Sequence, residues 1–205
     1  MRLRTCALLA PLLLATVGPA QAQSLRLSIG DVDTQQLSRG ADDAAADAAA
    51  SHLLVQFEAG GASAVRAALL ALGARVEAYV PDRAFRVRRD GVSLSALRAI
   101  AGVRWVGRWR NEWKMHAATR AAPGTDEFVL YGHVDGDGDA LVAEVRKRLP
   151  QARVLQQSRG ARLARVVIRL AQPSLLDRLV ASDAVTWIAP HVRPETHNTE
   201  ASGAI

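Results

Sequence analysis

His52-Leu-Leu-Val-Gln-Phe57 and Glu127-Phe-Val-Leu-Tyr131 are two short apolar stretches, and each begins a segment of similar length. The first segment closes on Val103-Arg-Trp-Val106 and the second on Val185-Thr-Trp-Ile188, which share a Val-x-Trp pattern. The elements predicted between the opening and the close also follow the same order in both. Repetition of this kind indicates one small structural module used twice along the chain.

The apolar residues of each segment alternate, or recur every three to four positions, as is typical of strands and amphipathic helices. In the first segment, the predicted elements are a strand at 52–57, a helix between Ser63 and Gly73, strands at 75–80 and 84–88, a helix carrying Leu94, Leu97 and Ile100, and a strand at 103–106. In the second, they are a strand at 127–134, a helix capped by Asp139 and ended by Pro150, strands at 153–157 and 163–170, a helix after Pro173, and a strand at 185–188.

The order strand-helix-strand-strand-helix-strand is that of the ferredoxin-like fold. The sequence therefore predicts an α+β protein made of two tandem ferredoxin-like antiparallel sandwiches. In this topology both helices pack on one face of the sheet, so we expect the other face to be free for a partner. The predicted boundaries are 52–113 for the first module, 114–126 for a linker and 127–192 for the second module.

The N-terminus has the pattern of a secretory signal peptide. Arg2 and Arg4 precede the apolar stretch Ala7 to Val17, and Ala20-Gln-Ala22 offers a small-x-small cleavage site. The apolar stretch is too short to span a bilayer, so no membrane anchor is expected. We expect residues 1–22 to be removed, with the chain secreted or periplasmic in a bacterium. Residues 23–51, which include an Ala/Asp-rich run, are interpreted as a leader or linker, and residues 193–205 as an extended tail.

Cysteine content and charge narrow the classes of function. The one cysteine, Cys6, lies inside the predicted signal peptide, so the mature chain would have neither disulfides nor thiol catalysis. The formal net charge is +6, from 26 basic and 20 acidic residues. Such a modest excess is weak support for a nucleic-acid partner and suits an acidic protein partner equally well.

Four phrases resemble a known family. Leu53-Leu-Val-Gln-Phe57, Leu72-Gly-Ala-Arg-Val76, Tyr79-Val-Pro-Asp-Arg-Ala-Phe85 and Leu97-x-x-Ile-x-Gly-Val-Arg-Trp-Val106 are similar to the N-terminal prodomain of bacterial subtilisin-like serine proteases, in particular the fervidolysin-like prodomain. The resemblance is strong over residues 52–113 and looser over 127–192. The tail from Pro190 to Ile205 resembles the joint that leads into the catalytic domain of such proteases.

The resemblance implies a folding chaperone and inhibitor rather than an enzyme. Such a prodomain packs its sheet face on helices of the protease, and its tail lies along the substrate cleft as an added strand. The Asp-Thr-Gly, His-Gly-Thr-His and Gly-Thr-Ser-Met-Ala phrases of the catalytic triad do not occur in this sequence. We therefore expect no catalytic activity from this polypeptide, which is interpreted as a prodomain segment of a longer serine protease precursor or as a free-standing unit.

No catalytic, cofactor-binding or metal-binding residue is assigned from the sequence. Asp135-Gly-Asp-Gly-Asp139 resembles a calcium loop, but Ala140 and Arg146 stand where an EF-hand requires Gly and Glu. His191, Glu195 and His197 could approach one another only in the tail. The residues expected to contact a protease are aromatic side chains and two tail positions. They are Tyr79, Phe85, Trp105, Trp109, Trp113, Trp187, His197 and Asn198.

Two other classes of function remain open on the residues. RNA-recognition domains share this topology and stack bases on aromatic residues of the central strands. Phe85 is one such aromatic, and the run Arg104 to Lys114 mixes tryptophan with arginine in a way that could stack single strands. The third class is a ligand-binding module built from the same repeats. Because the chain is expected to be exported, we predict that its partner is a protease and not a nucleic acid.

Overall fold

The computed structural model describes residues 24–37, 46–121, 124–134, 137–158 and 163–192. The predicted signal peptide and the predicted tail, including His197 and Asn198, lie outside these residues. In the part that is described, no helix has both the length and the apolar character needed to cross a membrane.

The described chain is a mixed α+β structure with short helices and antiparallel sheets. Its strands are β1 (Ser24–Leu27), β2 (Gly30–Asp33), β3 (His52–Phe57), β4 (Arg75–Val80), β5 (Ala84–Arg88), β6 (Val103–Arg108), β7 (Glu127–Val134), β8 (Arg153–Gln157), β9 (Leu163–Arg169) and β10 (Trp187–Pro190). Its helices are α1 (Thr34–Leu37), α2 (Ala62–Ala71), α3 (Leu94–Arg98), α4 (Ala117–Arg120), α5 (Gly138–Arg148) and α6 (Asp177–Val180), with 3₁₀ turns at Asn111–Trp113 and Pro173–Leu176. Residues 46–49 are also helical.

Two four-stranded sheets share one strand order. Sheet 1 runs β4-β5-β3-β6 and sheet 2 runs β10-β7-β9-β8. When the strands are numbered within their own module, the first and third strands lie at the centre of each sheet, and the second and fourth strands lie at its edges. All the pairings are antiparallel. The predicted α+β class is thereby confirmed, and the predicted strands at 52–57, 75–80, 84–88, 127–134 and 153–157 have the bounds that the sequence indicated.

Each sheet has an apolar core on the face covered by its helices. In the first module, Leu53, Val55 and Phe57 of β3 pack with Val65 and Leu69 of α2. The corresponding core of the second module is formed by residues of β7, β9 and β10 with residues of α5 and α6: Phe128, Leu130, Ile168, Ile188, Leu141, Val145 and Leu179. The alternation of the strands explains this arrangement, since every second residue of β3 and β7 points to the helices.

Helix capping follows local chemistry, but α2 and α5 both start earlier than predicted. α2 starts at Ala62, with Gly61 and not Ser63 at the cap position. Ser93 caps α3, since its hydroxyl accepts a hydrogen bond from the backbone N–H of Ala96. In α5 the cap is Asp137, whose carboxylate accepts from the N–H of Asp139, and not Asp139 itself. The helix therefore starts at Gly138, two residues earlier along the acidic run than expected.

The second face of sheet 1 is covered by the N-terminal hairpin, which is a correction to the expected free face. Leu25 of β1 and Leu54 of β3 are both fully buried in one apolar cluster with Trp105 and Trp113. Thr34 of α1 donates a 2.8 Å hydrogen bond to the Gln56 side chain, which is also buried. Residues 24–37 were assigned to a leader or linker, but Leu54 points away from the helices and the hairpin shields it from water.

The end of the Ala/Asp-rich segment also packs on sheet 1. Asp47, which lies in the helical residues 46–49, is 6% exposed and accepts a 3.0 Å hydrogen bond from the backbone N–H of Arg108. Its other carboxylate oxygen lies 3.8 Å from Arg98. The backbone carbonyl of Ala48 accepts a 2.7 Å hydrogen bond from Arg89, so a buried acid and a backbone contact both hold this stretch in place.

The residues between the modules pack instead of forming a loose linker. Lys114 is 2% exposed, and its Nζ donates to the carbonyl oxygens of Val180 (3.0 Å) and Ser182 (2.8 Å). Met115, 1% exposed, forms a parallel bridge with Ile188 of β10. The indole of Trp109 donates a 3.1 Å hydrogen bond to the carbonyl of Thr186. The start of the predicted linker 114–126 thus joins the core of the second module.

Candidate functional site

A cluster of ionisable side chains lies where the two modules meet. His52 begins β3, Glu77 belongs to the edge strand β4, His133 lies near the end of β7, and Asp183 precedes β10. Two of these positions interrupt the regular pairing. The register of β4 with β5 shifts between Val76 and Ala78, so Glu77 has no partner there, and that of β7 with β9 shifts between Tyr131 and Val134. Such bulges redirect side chains, and here they turn Glu77 and His133 toward the junction.

The two histidines share the carboxylate of Glu77. His52 Nε2 lies 3.4 Å from Glu77 Oε1, and His133 Nδ1 lies 3.0 Å from Glu77 Oε2. The imidazole rings are stacked, with centroids 3.3 Å apart and planes inclined by 14°. The side chain of Glu77 is completely buried. These donor atoms of His52, Glu77 and His133 all lie within 4.8 Å of one another, which is close enough to hold one metal ion.

A second layer of groups holds the far side of each ring. His133 Nε2 lies 2.8 Å from the backbone carbonyl oxygen of Asp183. His52 Nδ1 faces the Asp183 carboxylate at 3.5 Å and the hydroxyl of Ser51 at 3.2 Å, and Ser51 also donates to that carboxylate. Arg86 completes the cluster, since its Nε lies 3.1 Å from Glu77 Oε2.

Burial and hydrogen bonding shift the ionisation of the cluster in opposite directions. Burial raises the pKa of Glu77, but the two histidines beside its carboxylate, His133 and His52, outweigh this effect, so the pKa of Glu77 lies well below its usual value. Burial lowers the pKa of His52, but the neighbouring carboxylates of Asp183 and Glu77 outweigh this effect and raise it above the usual value. For His133 burial prevails, and its pKa is lowered. The hydrogen bond with His52 lowers the pKa of Asp183.

The cluster includes a serine, a histidine and an aspartate, but it is not arranged as a hydrolytic triad. In a triad the serine and the aspartate occupy opposite nitrogens of the imidazole, so that the ring can take the serine proton. Here the Ser51 hydroxyl and the Asp183 carboxylate both face Nδ1 of His52. Ser51 moreover donates to Asp183 directly. The geometry is suited to binding a proton or a cation between the modules.

The sequence-predicted contact residues meet in pairs but do not form one exposed surface. Trp109 meets Trp113 with ring centroids 5.8 Å apart, and Tyr79 meets Phe85 at 6.0 Å. Phe85 (5% exposed), Trp105 (9%) and Trp113 (3%) are buried inside the chain, so these three cannot offer a surface to a partner. Their aromatic rings fill the space between sheet 1, its helices and the N-terminal hairpin. Tyr79 is 59% exposed at the edge strand β4. Trp109 lies half-buried at the junction of the modules.

Trp187 belongs to a different surface, the outer face of sheet 2, which is the side opposite the helix-packed core. Trp187 pairs in register with Tyr131 of β7, and Tyr131 pairs with Arg165 of β9. In the next row Val129 pairs with Val167. The two valines are buried but belong to neither core cluster, and their three larger neighbours are partly exposed. Because the two valines are already buried, the surface that this face offers consists of the aromatic and basic side chains of Trp187, Tyr131 and Arg165.

Comparison with protein families finds similarity to a Domain of unknown function (DUF8729) over residues 16–110, slightly less than half of the chain. The matched stretch covers the N-terminal hairpin and all four strands of sheet 1, and it ends before β7. No curated protein matches the sequence significantly. The similarity therefore groups the hairpin with the first module.

Sequence reasoning missed the junction cluster because its members are far apart in the chain. His52 was assigned to a buried strand and Glu77 to an alternating one, and neither position carries a motif. The sequence does contain one usable signal. Glu77 stands in a strand whose neighbours Val76 and Ala78 are both apolar, and an acid in such a setting indicates either an edge or a buried partner.

Proposed function

We propose that this chain is a non-catalytic, exported protein that assists the folding of a subtilisin-like serine protease and inhibits it. The proposal includes two tandem ferredoxin-like sandwiches and removal of a signal peptide near Ala22. It rests on the resemblance of residues 52–113 to protease prodomains. The shared strand order of the two sheets supports the tandem arrangement, since first and third strands at the centre are what this topology requires.

The observation that carries the proposal is the difference between the two outer sheet faces. The N-terminal hairpin fills the outer face of sheet 1. On the outer face of sheet 2, Tyr131, Arg165 and Trp187 are partly exposed around Val129 and Val167. Tyrosine, tryptophan and arginine are among the residues enriched at protein interfaces, and these three are the partly exposed side chains of this face. We therefore assign docking on the protease to the second module.

The position of this face also suits an inhibitory tail. Trp187 lies in β10, an edge strand of sheet 2, and the chain leaves this strand after Pro190. A second module docked through the same face would direct the following residues along the surface of the protease. An extended segment there can pair with an exposed strand of the enzyme and occupy its substrate cleft. Docking that favours the folded protease stabilises it by the binding free energy.

The test is inhibition of a purified bacterial subtilisin, followed by cleavage of a chromogenic peptide. The purified chain is expected to inhibit at micromolar concentration or below and to co-migrate with the enzyme. Trp187→Ala and Arg165→Glu are expected to weaken inhibition at least about tenfold, because truncation at a central contact commonly costs more than 1.4 kcal/mol. Tyr79→Ala is the matched control, since Tyr79 is an exposed aromatic of the first module.

Two results would contradict the proposal at different levels. Unchanged protease activity with no co-migration at micromolar chain would refute protease binding. Inhibition that Tyr79→Ala weakens and Trp187→Ala leaves intact would instead place the contact on the first module.

The same outer face supports a second candidate function, binding of single-stranded nucleic acid. Trp187, Tyr131 and Arg165 form one row across three neighbouring strands, and aromatic-basic rows on a sheet are how RNA-recognition modules stack bases. Salt-dependent binding to an oligonucleotide that Tyr131→Ala and Arg165→Glu both reduce would favour this function. If the chain does not bind the oligonucleotide even at low salt, the protease remains the proposed partner.

A further inference from the structure

The contact between His133 and Glu77 requires a positive charge. Nε2 of His133 lies 2.8 Å from the backbone carbonyl oxygen of Asp183, and a carbonyl can only accept, so Nε2 carries the hydrogen. On the other side of the ring, Nδ1 lies 3.0 Å from an oxygen of the Glu77 carboxylate, which also only accepts. In a neutral ring this nitrogen has a lone pair that faces the carboxylate, so either a second proton on the ring or a cation between the two atoms must supply the positive charge.

His52 presents the same situation from the other side of Glu77. Its Nδ1 faces the Asp183 carboxylate at 3.5 Å, which favours the hydrogen on that nitrogen. Its Nε2 faces Glu77 Oε1 at 3.4 Å. Both of these atoms are buried, and neither has a hydrogen-bond partner among the described residues. Buried polar atoms without a partner are rare in native proteins, and one explanation is an ion that belongs between them.

We propose that His52, Glu77 and His133 bind a Zn²⁺ ion across the junction of the two modules. Ligand atoms 2.0–2.2 Å from a tetrahedral zinc lie about 3.3–3.6 Å from each other. Here one ligand atom from each of the three residues lies within 4.8 Å of the other two, so the side chains can reach this spacing by moving together. Two imidazoles with one carboxylate favour zinc over magnesium or calcium, which take oxygen ligands. Water would fill the remaining position. This inference does not depend on the proposed protease partner.

The groups behind the two rings are those that metal-binding histidines use. Such a histidine donates its other ring N–H to a carboxylate or a backbone carbonyl, which fixes the ring and its tautomer. Asp183 supplies both acceptors, its carboxylate for His52 and its carbonyl for His133. Two features limit the affinity. The stacked rings must splay, because a metal lies in the plane of each imidazole, and Arg86 competes for Glu77 Oε2.

The ion would connect parts of the chain that no disulfide can connect. His52 and Glu77 belong to the first module and His133 to the second, and the sequence contains one cysteine, Cys6. Small domains with limited cores commonly rely on a metal or a disulfide for added stability. Binding of Zn²⁺ would therefore fix the orientation of the modules and raise the melting temperature of both together.

The experiment is calorimetric titration of the metal-free purified chain with ZnCl₂ at pH 7.5, with Co²⁺ absorption as a second probe of the coordination. We expect one Zn²⁺ per chain, a higher melting temperature with Zn²⁺, and binding that weakens as the pH falls, because protons compete with the metal for the ligand atoms. His133→Gln and His52→Gln are expected to weaken binding at least 100-fold. Asp183→Asn should weaken it about 10- to 100-fold through the ring it orients.

His116→Gln and His191→Gln are the matched controls, because neither residue belongs to the cluster. They are expected to leave the affinity and the thermal shift unchanged. Absence of stoichiometric Zn²⁺ binding by the folded wild-type chain would overturn the proposal, whatever the variants do. Binding that both cluster variants retain, or that the two control variants abolish, would overturn it as well.

Discussion

Glu77→Gln is the substitution that tests the junction most directly. The carboxylate of Glu77 is completely buried, lies 3.1 Å from Arg86 Nε, and contacts both histidines of the cluster. Glutamine keeps the shape but removes the charge, which leaves the guanidinium of Arg86 buried without its counter-ion. Breaking a buried ion pair in this way costs about 3–5 kcal/mol. We predict a loss of that size in the free energy of unfolding, measured by urea denaturation at pH 7 with EDTA present.

The pH dependence of this loss has a defined sign. The pKa of Glu77 is lower in the folded state than its usual value of 4.5, so its contribution to stability is present above that value and lost as the pH falls toward the folded pKa. The pKa of His52 is raised above 6.5, so its contribution is present below 6.5 and lost as the pH rises through the folded pKa. The difference in the free energy of unfolding between wild type and Glu77→Gln is therefore largest between about pH 4.5 and 6.5 and narrows below pH 4.5.

Glu58→Gln is the matched control for this prediction. The side chain of Glu58 is 61% exposed and its ion pair with Arg104 spans 4.0 Å. Exposed pairs of this kind contribute little, so we expect a change within about 0.5 kcal/mol. If Glu77→Gln proved as mild as this control at pH 7, the junction carboxylate would not be the buried ion-pair partner that we describe.

Two further substitutions test the packing around the modules. Leu25→Ala is expected to lower the free energy of unfolding by about 2–4 kcal/mol, because Leu25 is fully buried, whereas Leu70→Ala, at 53% exposure, should change it by less than about 0.5 kcal/mol. If Leu25→Ala and Leu70→Ala had equal effects on the free energy of unfolding in urea, the hairpin would not be packed on sheet 1. Burial lowers the pKa of Lys114 to about 8 from its usual 10.5, so the wild type should gain about 2–3 kcal/mol between pH 8 and 10.5. Lys114→Met should lack this gain, and a parallel pH profile for the two proteins would exclude a buried charge at this position.

The strands were predictable because their signals are local. The run 52–57 is apolar between two breaks, and the alternation in 75–80 and 84–88 frames the turn at Pro81 and Asp82. Capping is also local, as Ser93 shows. The acidic run before α5 contains several residues that could cap the helix, and Asp137 is the one that does so. Short-range chemistry thus determines the type of most elements, and the bounds of five of the eight predicted strands, whereas the last strand lies at 187–190 and not at 185–188.

The cover of sheet 1 could not be predicted in the same way. Ser24-Leu-Arg-Leu27 alternates as a strand should, but four residues give too short a pattern to separate a strand from a leader. The position of the hairpin is decided by tertiary contacts. Leu54 and Gln56 point away from the helices, and their burial requires a second layer that only Leu25, Thr34 and their neighbours supply.

The junction cluster depends on two irregularities that leave little trace in the sequence. Glu77 and His133 reach each other because the register of β4 and of β7 shifts beside them. A regular strand would turn each side chain to a different position. The two residues are also 56 positions apart, so their proximity follows from how the modules pack and not from either module alone.

The intrinsic fluorescence of Trp109 should report how the two modules pack against each other. Its indole N–H is bound to the Thr186 carbonyl of the other module, its ring meets Trp113 edge-on with centroids 5.8 Å apart, and Arg86 lies 5.9 Å from its centre. Separation of the modules would hydrate this indole and break its hydrogen bond to Thr186, whereas Arg86 and Trp113 belong to the same module as Trp109 and would stay beside it. The tryptophan emission maximum of the unlabelled protein would therefore shift when the interface between the modules opens, even while each module remains folded.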